Sequence, residues 1–130
     1  MIRFQIMGET PAKKNSKILT KSGKFIPGKV HSKWHTDALI QMNAQIHRMQ
    51  PNMPNLIDEP IILRVDFYHG NLIRRDSDNQ LSSILDLLQD SKVLADDKWE
   101  IVREIHVRNF YEKNEPRAII EIEKCEKQGL

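Results

Sequence analysis

The closing segment of this chain, residues 117–124, alternates apolar and charged side chains with a period of two. Its apolar residues Ala118, Ile120 and Ile122 fall on one side of an extended chain, and two glutamates fall on the other. Successive side chains of a strand point to opposite faces, so the pattern predicts a β-strand with one buried face. Such a strand requires a sheet whose apolar face is covered by another layer, which limits the folds open to the chain.

Similar patterns predict three more strands and two helices. β-branched, aromatic or alternating residues predict strands at residues 2–7, 61–68 and 101–110. Apolar residues at spacings of three and four predict one helix from Ser32 to the prolines that follow Met49, and a second helix that ends near Asp90. The resulting order, β-α-β-α-β-β, predicts an α+β protein with one mixed sheet and two main helices.

The composition fits one small domain in a reducing compartment. A chain of 130 residues with 39% hydrophobic content can bury one modest core, so we expect a single domain over residues 1–130. Its apolar runs are far shorter than the roughly 18 residues that span a bilayer, and the first residues do not form a signal-peptide core. Cys125 is the only cysteine, which excludes an intrachain disulfide and a CxxC site. We therefore expect a cytoplasmic protein with no membrane partner.

Basic residues are concentrated near the start of the chain. The first fifty residues carry nine Lys and Arg against two acids, whereas the remaining eighty carry eleven and sixteen. Residues 9–29 combine six lysines with Pro, Gly, Ser and Asn, and only Phe25 and Ile26 suggest a brief strand, so a long, mobile, basic loop is predicted. Segregated charge suits a polyanion-binding protein with an acidic metal site. The simpler alternative is a solvated loop beside an ordinary acidic surface.

Two pairs of aspartates are candidates for metal binding. Asp76 and Asp78 lie two residues apart in a segment predicted to be extended, which would place both carboxylates on one side, about 7 Å apart at their Cα atoms. Mg²⁺ prefers one or two carboxylates together with water and phosphate oxygens, which an open DxD site provides. Asp96 and Asp97 precede the next strand. If that strand lies beside the 61–68 strand, Asp97 is expected at the same end of the sheet as Asp78.

Each acidic group also has a purely structural explanation. Ser77 followed by Gln80 matches a capping box, and an aspartate near the start of a helix can simply complement the helix dipole. A pair of aspartates before a strand is common in turns. Asp86 lies eight residues after Asp78, about 12 Å along a helix, which is too far to share one ion. Asp86 is therefore assigned a structural role.

Taken together, residues 74–97, RRDSDNQLSSILDLLQDSKVLADD, resemble the signature of the RusA family of Holliday-junction resolvases, which is common in phages and prophages. That signature has an arginine-rich approach, a DxDN motif, an aspartate eight residues later on a helix, and a final DD pair. The residues of this chain that match the signature are Arg74, Arg75, Asp76, Asp78, Asn79, Asp86, Asp96 and Asp97. The resemblance extends more loosely to the initial strand, the basic loop, the first helix and the two closing strands.

The resemblance implies a Mg²⁺-dependent, structure-specific endodeoxyribonuclease that cleaves Holliday junctions and other branched DNA in recombination and repair, with Mn²⁺ able to substitute. It assigns catalysis and metal binding to Asp76, Asp78 and Asp97, with Asp96 as a supporting acid. The basic side chains expected to contact DNA phosphates are Lys13, Lys14, Lys17, Lys21, Lys24, Arg74 and Arg75. Resolving a four-way junction needs two nicks, and one chain offers one acidic cluster, so a two-fold homodimer is expected.

One position departs from the family pattern. Three residues after Asn79 the family usually has a catalytic lysine, and this chain has Ser82. Lys14, Arg75 and Lys98 are candidates to supply the missing cation. An alternative is therefore a branched-DNA-binding protein with weak or lost nuclease activity. A Mg²⁺-dependent nucleotide phosphohydrolase is a third reading, for which the lysine-rich segment would have no purpose.

Overall fold

The alternating segment at the end of the chain is a central strand of a four-stranded sheet. The computed structural model describes residues 1–12, 17–19, 21–23, 25–27, 29–53, 55–73 and 76–126. The elements in chain order are β1 (Ile2–Met7), β2 (Lys17–Leu19), β3 (Phe25–Pro27), α1 (Lys29–Met49), β4 (Ile61–His69), α2 (Ser77–Asp90), β5 (Val102–Tyr111) and β6 (Arg117–Lys124). The predicted class, an α+β fold with a mixed sheet and two main helices, is confirmed.

The strand order in the main sheet is β1-β6-β4-β5. β6 runs antiparallel to both of its neighbours, whereas β4 and β5 are parallel and are joined through α2. Parallel neighbours need a crossover connection, and the helix provides it. In the register of this pair Ile61 lies beside Val102 and His69 lies beside Tyr111. Both strands therefore begin at one end of the sheet, and α2 returns the chain from the far end to that starting end.

One face of the sheet and the two helices enclose the hydrophobic core. Alternate residues of the strands point into it, among them Phe4, Ile6, Leu63, Val65, Phe67, Ala118, Ile120 and Ile122. α1 contributes Trp34, Ala38 and Met42, and α2 contributes Ile84, Leu87 and Leu88. The apolar side chains that recur every two residues in the strands and every three or four residues in the helices therefore face one core, as the sequence patterns predict. No helix in the described part of the chain is long and apolar enough to cross a membrane.

Two details of the fold differ from the predictions. α1 begins at Lys29, so Ser32 lies within its first turn and is not the N-cap. The first turn of the helix includes His31, which is buried and lies beside Trp34. The basic segment also contains a hairpin, because the predicted strand around Phe25 pairs with β2. β2 was not predicted, since its apolar run is only two residues long among lysines.

The outer edge of β1 is hydrogen-bonded by two glutamines of α1. Gln41 accepts from the backbone N–H of Met7 at 2.7 Å and donates to its carbonyl oxygen at 3.2 Å. Gln45 makes the same pair of bonds to Gln5, at 3.0 and 2.9 Å. The outward backbone groups of Gln5 and Met7 are thus satisfied by side chains. β5, at the other side of the sheet, has β4 as its neighbour and no further strand among the described residues.

The core assignment predicts a stability difference within α1. Met42 is fully buried, whereas Ile40 on the same helix is 63% exposed. Met42→Ala is expected to lower the free energy of unfolding by about 2–5 kcal/mol, because it removes buried methylene groups and leaves a cavity. Ile40→Ala is the matched control and should change it by less than about 0.5 kcal/mol. Urea titrations followed by circular dichroism measure both, and equal losses would contradict the described packing of α1.

Candidate active site

Asp76 and Asp78 lie at the beginning of α2, and both are exposed. Asp76 is the N-cap residue in an extended conformation, and its carbonyl oxygen accepts from the backbone N–H groups of Asn79 and Gln80 at 3.1 and 3.4 Å. Its carboxylate makes no capping hydrogen bond. The helix begins at Ser77, so Asp78 is in its first turn. The prediction that both aspartates lie in an extended segment is therefore wrong. The two carboxylates still flank the helix start, where the helix dipole favours negative charge.

The predicted capping box of Ser77 and Gln80 is also wrong, because both side chains have other partners. Gln80 is 1% exposed, and its amide donates to the carbonyl oxygen of Thr10 at 2.8 Å. One turn later the buried hydroxyl of Ser83 donates to the carbonyl oxygen of Pro11 at 2.7 Å. These two bonds attach the segment after β1 to the first turns of α2. The basic segment therefore departs from a point close to the two aspartates.

A polar network joins the ends of β4 and β5 to the start of α2. The imidazole Nδ1 of His69 lies 2.9 Å from a carboxylate oxygen of Glu9, whose other oxygen accepts from the backbone N–H of Gly70 at 3.0 Å. The Nε2 of His69 lies 2.9 Å from Oδ1 of Asn109. The amide of Asn109 donates to the hydroxyl of Ser77 at 3.1 Å. Four chain segments are thus tied together beside Asp76, and the sequence patterns did not reveal this network.

A surface cleft of about 370 Å³ opens next to this network. His69, Ser77 and Asn109 form its polar side. Its apolar side includes Leu72, Ile73, Phe110 and Tyr111. Leu72 and Ile73 are 83% and 68% exposed, and such neighbouring exposed aliphatic residues are typical of interaction sites. The cleft therefore combines hydrogen-bonding groups with uncovered apolar surface at the end of the sheet where α2 begins.

Asp96 and Asp97 lie at the other end of the sheet. The segment after α2 is held beside the start of β4, because the N–H of Ala95 donates to the carbonyl oxygen of Ile57 at 2.9 Å. Asp97 then donates its N–H to the carboxylate of Asp96 at 2.7 Å, and the chain enters β5. The 14 residues of α2 span about 20 Å and separate this pair from Asp78.

The expected placement of Asp97 at the same end as Asp78 is therefore wrong. β5 does lie beside β4, as the expectation required, but the two strands are parallel. A parallel crossover returns the chain to the end at which its neighbour begins. Within the described residues, no three His, Cys, Asp or Glu side chains are grouped so that they could hold one metal ion. One copy of the chain thus presents two separate pairs of carboxylates.

Ion pairs occupy Asp66 and Glu123 on the sheet face that points away from the helices. Asp66, the most buried acid of that face, accepts two hydrogen bonds from the guanidinium of Arg108, at 2.9 and 2.8 Å. These hydrogen bonds raise the pKa of Arg108 above its ordinary value. Arg64 is paired with Glu123 on the same face. Asp66 already has the guanidinium of Arg108 as its partner. This face is therefore a poorer candidate for a metal site than the start of α2.

The remaining predicted site residues are only partly covered by the structure. Lys13, Lys14, Lys24, Arg74 and Arg75 lie outside the described residues, so their role in DNA binding stays a prediction.

The other two basic positions, and Ser82, are described. Lys17 begins β2, and Lys21 is exposed in the turn of the hairpin. Ser82 lies one turn after Asp78, and its hydroxyl donates to the carbonyl oxygen of that residue at 3.1 Å. Position 82 is therefore directly adjacent to the acidic pair along the helix.

Comparison with known proteins identifies the family of the chain. The family model described as endodeoxyribonuclease RusA matches residues 8–123, which is all but seven residues at each end. A search of curated proteins finds no match. The matched region contains both aspartate pairs, the crossover helix and the polar network at its start. The chain therefore belongs to the RusA family of Holliday-junction endodeoxyribonucleases.

Proposed function

We propose that the protein is a Mg²⁺-dependent endonuclease that cuts four-way and other branched DNA during recombination and repair, with Mn²⁺ able to replace Mg²⁺. The observation that carries the proposal is the pair of exposed carboxylates, Asp76 and Asp78, at the start of α2 in a RusA-family chain. The carboxylate of Asp76 is not used for capping, so it is accessible to a cation. Two carboxylates with open solvent on one side suit Mg²⁺, which keeps positions for water and phosphate oxygens.

The chain supplies three things to such a reaction. Asp76 and Asp78 would hold the cation, which, when bound, acidifies a water and stabilises charge on the phosphate. The first N–H groups of α2 form a positive helix end that favours a phosphate nearby. The network of His69 and Asn109 fixes the helix start relative to the sheet, so the carboxylates hold one position during the displacement.

The separation of the two acidic pairs supports a homodimer in which each site is shared. Asp97 of one copy would join Asp76 and Asp78 of the other, with Asp96 as a supporting acid. Two-fold symmetry repeats this arrangement, so that a dimer holds two equivalent sites. A four-way junction needs two nicks on opposing strands, and two sites related by symmetry meet that requirement.

The attachment of the basic segment supports DNA binding next to the acids. Because Gln80 and Ser83 bind the carbonyl oxygens of Thr10 and Pro11, the segment that leads into the lysines is attached to the first turns of α2. Lysines at that place would neutralise phosphates on either side of the scissile one, which is the main source of sequence-independent affinity. DNA binding also gives the lysine-rich segment a function. A nucleotide phosphohydrolase would not need such a segment.

The second candidate, a branched-DNA-binding protein with weak nuclease activity, is favoured by Ser82. Its hydroxyl is bonded to the backbone of Asp78 and carries no positive charge. The residue therefore cannot stabilise negative charge on the phosphate as a lysine at this position would. Binding and cleavage must consequently be measured separately.

We expect Asp78→Asn to lower Mg²⁺-dependent cleavage of a labelled four-way junction by about 100-fold or more, because a metal ligand is lost. Junction affinity should be equal or slightly higher, since one negative charge near DNA is removed. Asp37→Asn, an exposed aspartate on α1, is the matched control and should cleave normally. Gel assays with and without Mg²⁺ provide both measurements. Cleavage by Asp78→Asn at the wild-type rate would rule out this residue as a ligand.

Mixing two inactive variants tests whether the sites are shared. In a mixed dimer of Asp78→Asn and Asp97→Asn, one shared site keeps all its aspartates and the other loses both. About half of the dimers in an equimolar mixture are mixed, so about one quarter of the nicking should return. The product should be a nicked junction and not a resolved one. If each site lay within one copy, the mixture would remain as inactive as its components.

Ser82→Lys separates the two candidate functions. A lysine one turn into α2 would place a positive charge next to the acidic pair, so we expect single-turnover nicking to rise by about 10-fold or more. Junction binding, measured in Ca²⁺, should change little. Ser82→Ala controls for the loss of the hydroxyl bond to Asp78. An unchanged rate in a variant that folds and binds would show that another cation already fills this role.

A further inference from the structure

We propose that the 370 Å³ cleft beside the start of α2 receives an unpaired nucleobase of the branched DNA, and that it prefers guanine or thymine to adenine. The inference rests on the nuclease proposed above and names the base that accompanies its scissile phosphate. Ser77 lies between Asp76 and Asp78 in the chain, and it lines this cleft. A phosphate held at the two carboxylates therefore brings the base of its own or of the adjoining nucleotide within reach of the cleft.

The apolar side of the cleft suits the flat face of a base. Tyr111, at the end of β5, is 56% exposed, and Leu72 and Ile73, in the loop after β4, are 83% and 68% exposed. Every base has a π-face, and proteins that bind unpaired bases stack them on exposed aromatic rings. A base that enters the cleft would stack on Tyr111 and cover apolar surface that is otherwise in contact with water.

The polar side of the cleft presents hydrogen-bond donors. Oδ1 of Asn109 lies 2.9 Å from Nε2 of His69, and its Nδ2 donates to the hydroxyl of Ser77 at 3.1 Å, which orients its N–H groups toward the start of α2. Oδ1 of Asn71 accepts from the backbone N–H of Ile73 at 3.1 Å. Within the described residues, the amide nitrogen of Asn71 and the hydroxyl hydrogen of Ser77 have no acceptor. Both groups therefore remain able to donate to a ligand.

A set of donors distinguishes among the bases. Guanine has the acceptors O6 and N7 and thymine has the acceptor O4, whereas adenine has an amino group where guanine has O6. An N–H or O–H group of the cleft can donate to a carbonyl oxygen, but it meets the amino group of adenine as donor against donor. A donor that loses water without gaining an acceptor weakens binding. The cleft should therefore favour guanine or thymine over adenine.

A base can enter the cleft only after it has left the duplex. Extrusion costs least where the base is mismatched or already single-stranded. The cleft would therefore favour cleavage where base pairing is already weak, as it is at a branch point. This preference adds selectivity for DNA structure to the phosphate contacts, which are the same at every position of a duplex.

An abasic scan combined with variants of Tyr111 tests the proposal. Four-way junctions with one abasic nucleotide at each position near the nick are compared in single-turnover assays with Mg²⁺. One position should be sensitive, with a loss of about 5- to 100-fold, as for one base stacked on an aromatic ring. Tyr111→Leu should show a similar loss on the intact junction and no further loss on the abasic one, because both changes remove the same contact. Tyr111→Phe keeps the ring and should restore the dependence on the base.

Asn71→Asp tests the preference among bases. The variant keeps the oxygen that accepts from Ile73 and replaces the donor with a second acceptor. At the sensitive position, wild-type protein should nick junctions with guanine or thymine about 10-fold faster than junctions with adenine. In Asn71→Asp this ratio should fall or reverse, because a carboxylate oxygen accepts from the amino group of adenine. Asn43→Asp adds the same charge at an exposed position of α1 and should keep the wild-type ratio.

The outcomes separate this inference from the proposed function. If wild-type protein nicks every abasic junction at the intact rate, or if Tyr111→Leu loses equally on intact and abasic DNA, the cleft is overturned and the nuclease stands. A preference for adenine at the sensitive position would overturn the assignment of donors. If wild-type protein never nicks, the nuclease fails, and binding of the same junctions in Ca²⁺ still tests the cleft: weaker binding of one abasic junction would support it, and equal binding of all would overturn it.

Discussion

The parallel pairing of β4 with β5 decides where every acidic group of this protein lies. Parallel neighbours begin at the same end of a sheet, so α2 must carry the chain along the whole sheet before β5 can start. One aspartate pair precedes this helix and the other follows it. The 14 residues of α2 therefore separate the two pairs by about 20 Å along the helix. The crossover that builds the sheet therefore keeps Asp97 apart from Asp76 and Asp78 within one copy of the chain.

Buried polar contacts of Gln80 and Ser83 hold the start of α2 in position. A helix terminus usually frays, and carboxylates on a fraying end would hold a cation loosely. Here Gln80 and Ser83 lie on the buried face of the helix, at positions where apolar residues are usual. Both side chains bind the segment after β1. A buried amide without a partner would destabilise the fold, so these contacts also select one docking position for that segment. The same two bonds thus fix the position of Thr10 and Pro11 against the first turns of α2.

The positions of most helices and strands follow from side-chain periodicity. The arrangement of the site depends instead on which strands are neighbours and on whether they run parallel. Residues 2–7 and 117–124 form strands at their predicted bounds, because alternation reports directly on one buried face. Local patterns contain no information on whether two strands run parallel, and for that reason the end of the sheet occupied by Asp97 was predicted wrongly. The contacts of His69 with Glu9 and Asn109 join residues 60 and 40 positions apart, so no local signal could reveal them. Gln80 and Ser83 did carry a signal, since polar residues stood where the helical stripe called for apolar ones.

The glutamines along β1 have a consequence for the size of any assembly. A chain with two open sheet borders can add copies at both, and such growth has no natural end. In this protein one border is already occupied by Gln41 and Gln45. Strand addition at that border would first have to displace the hydrogen bonds that the two glutamines make to Gln5 and Met7. Repeated strand addition needs two open borders, so the bonded border at β1 opposes the growth of this protein into fibrils.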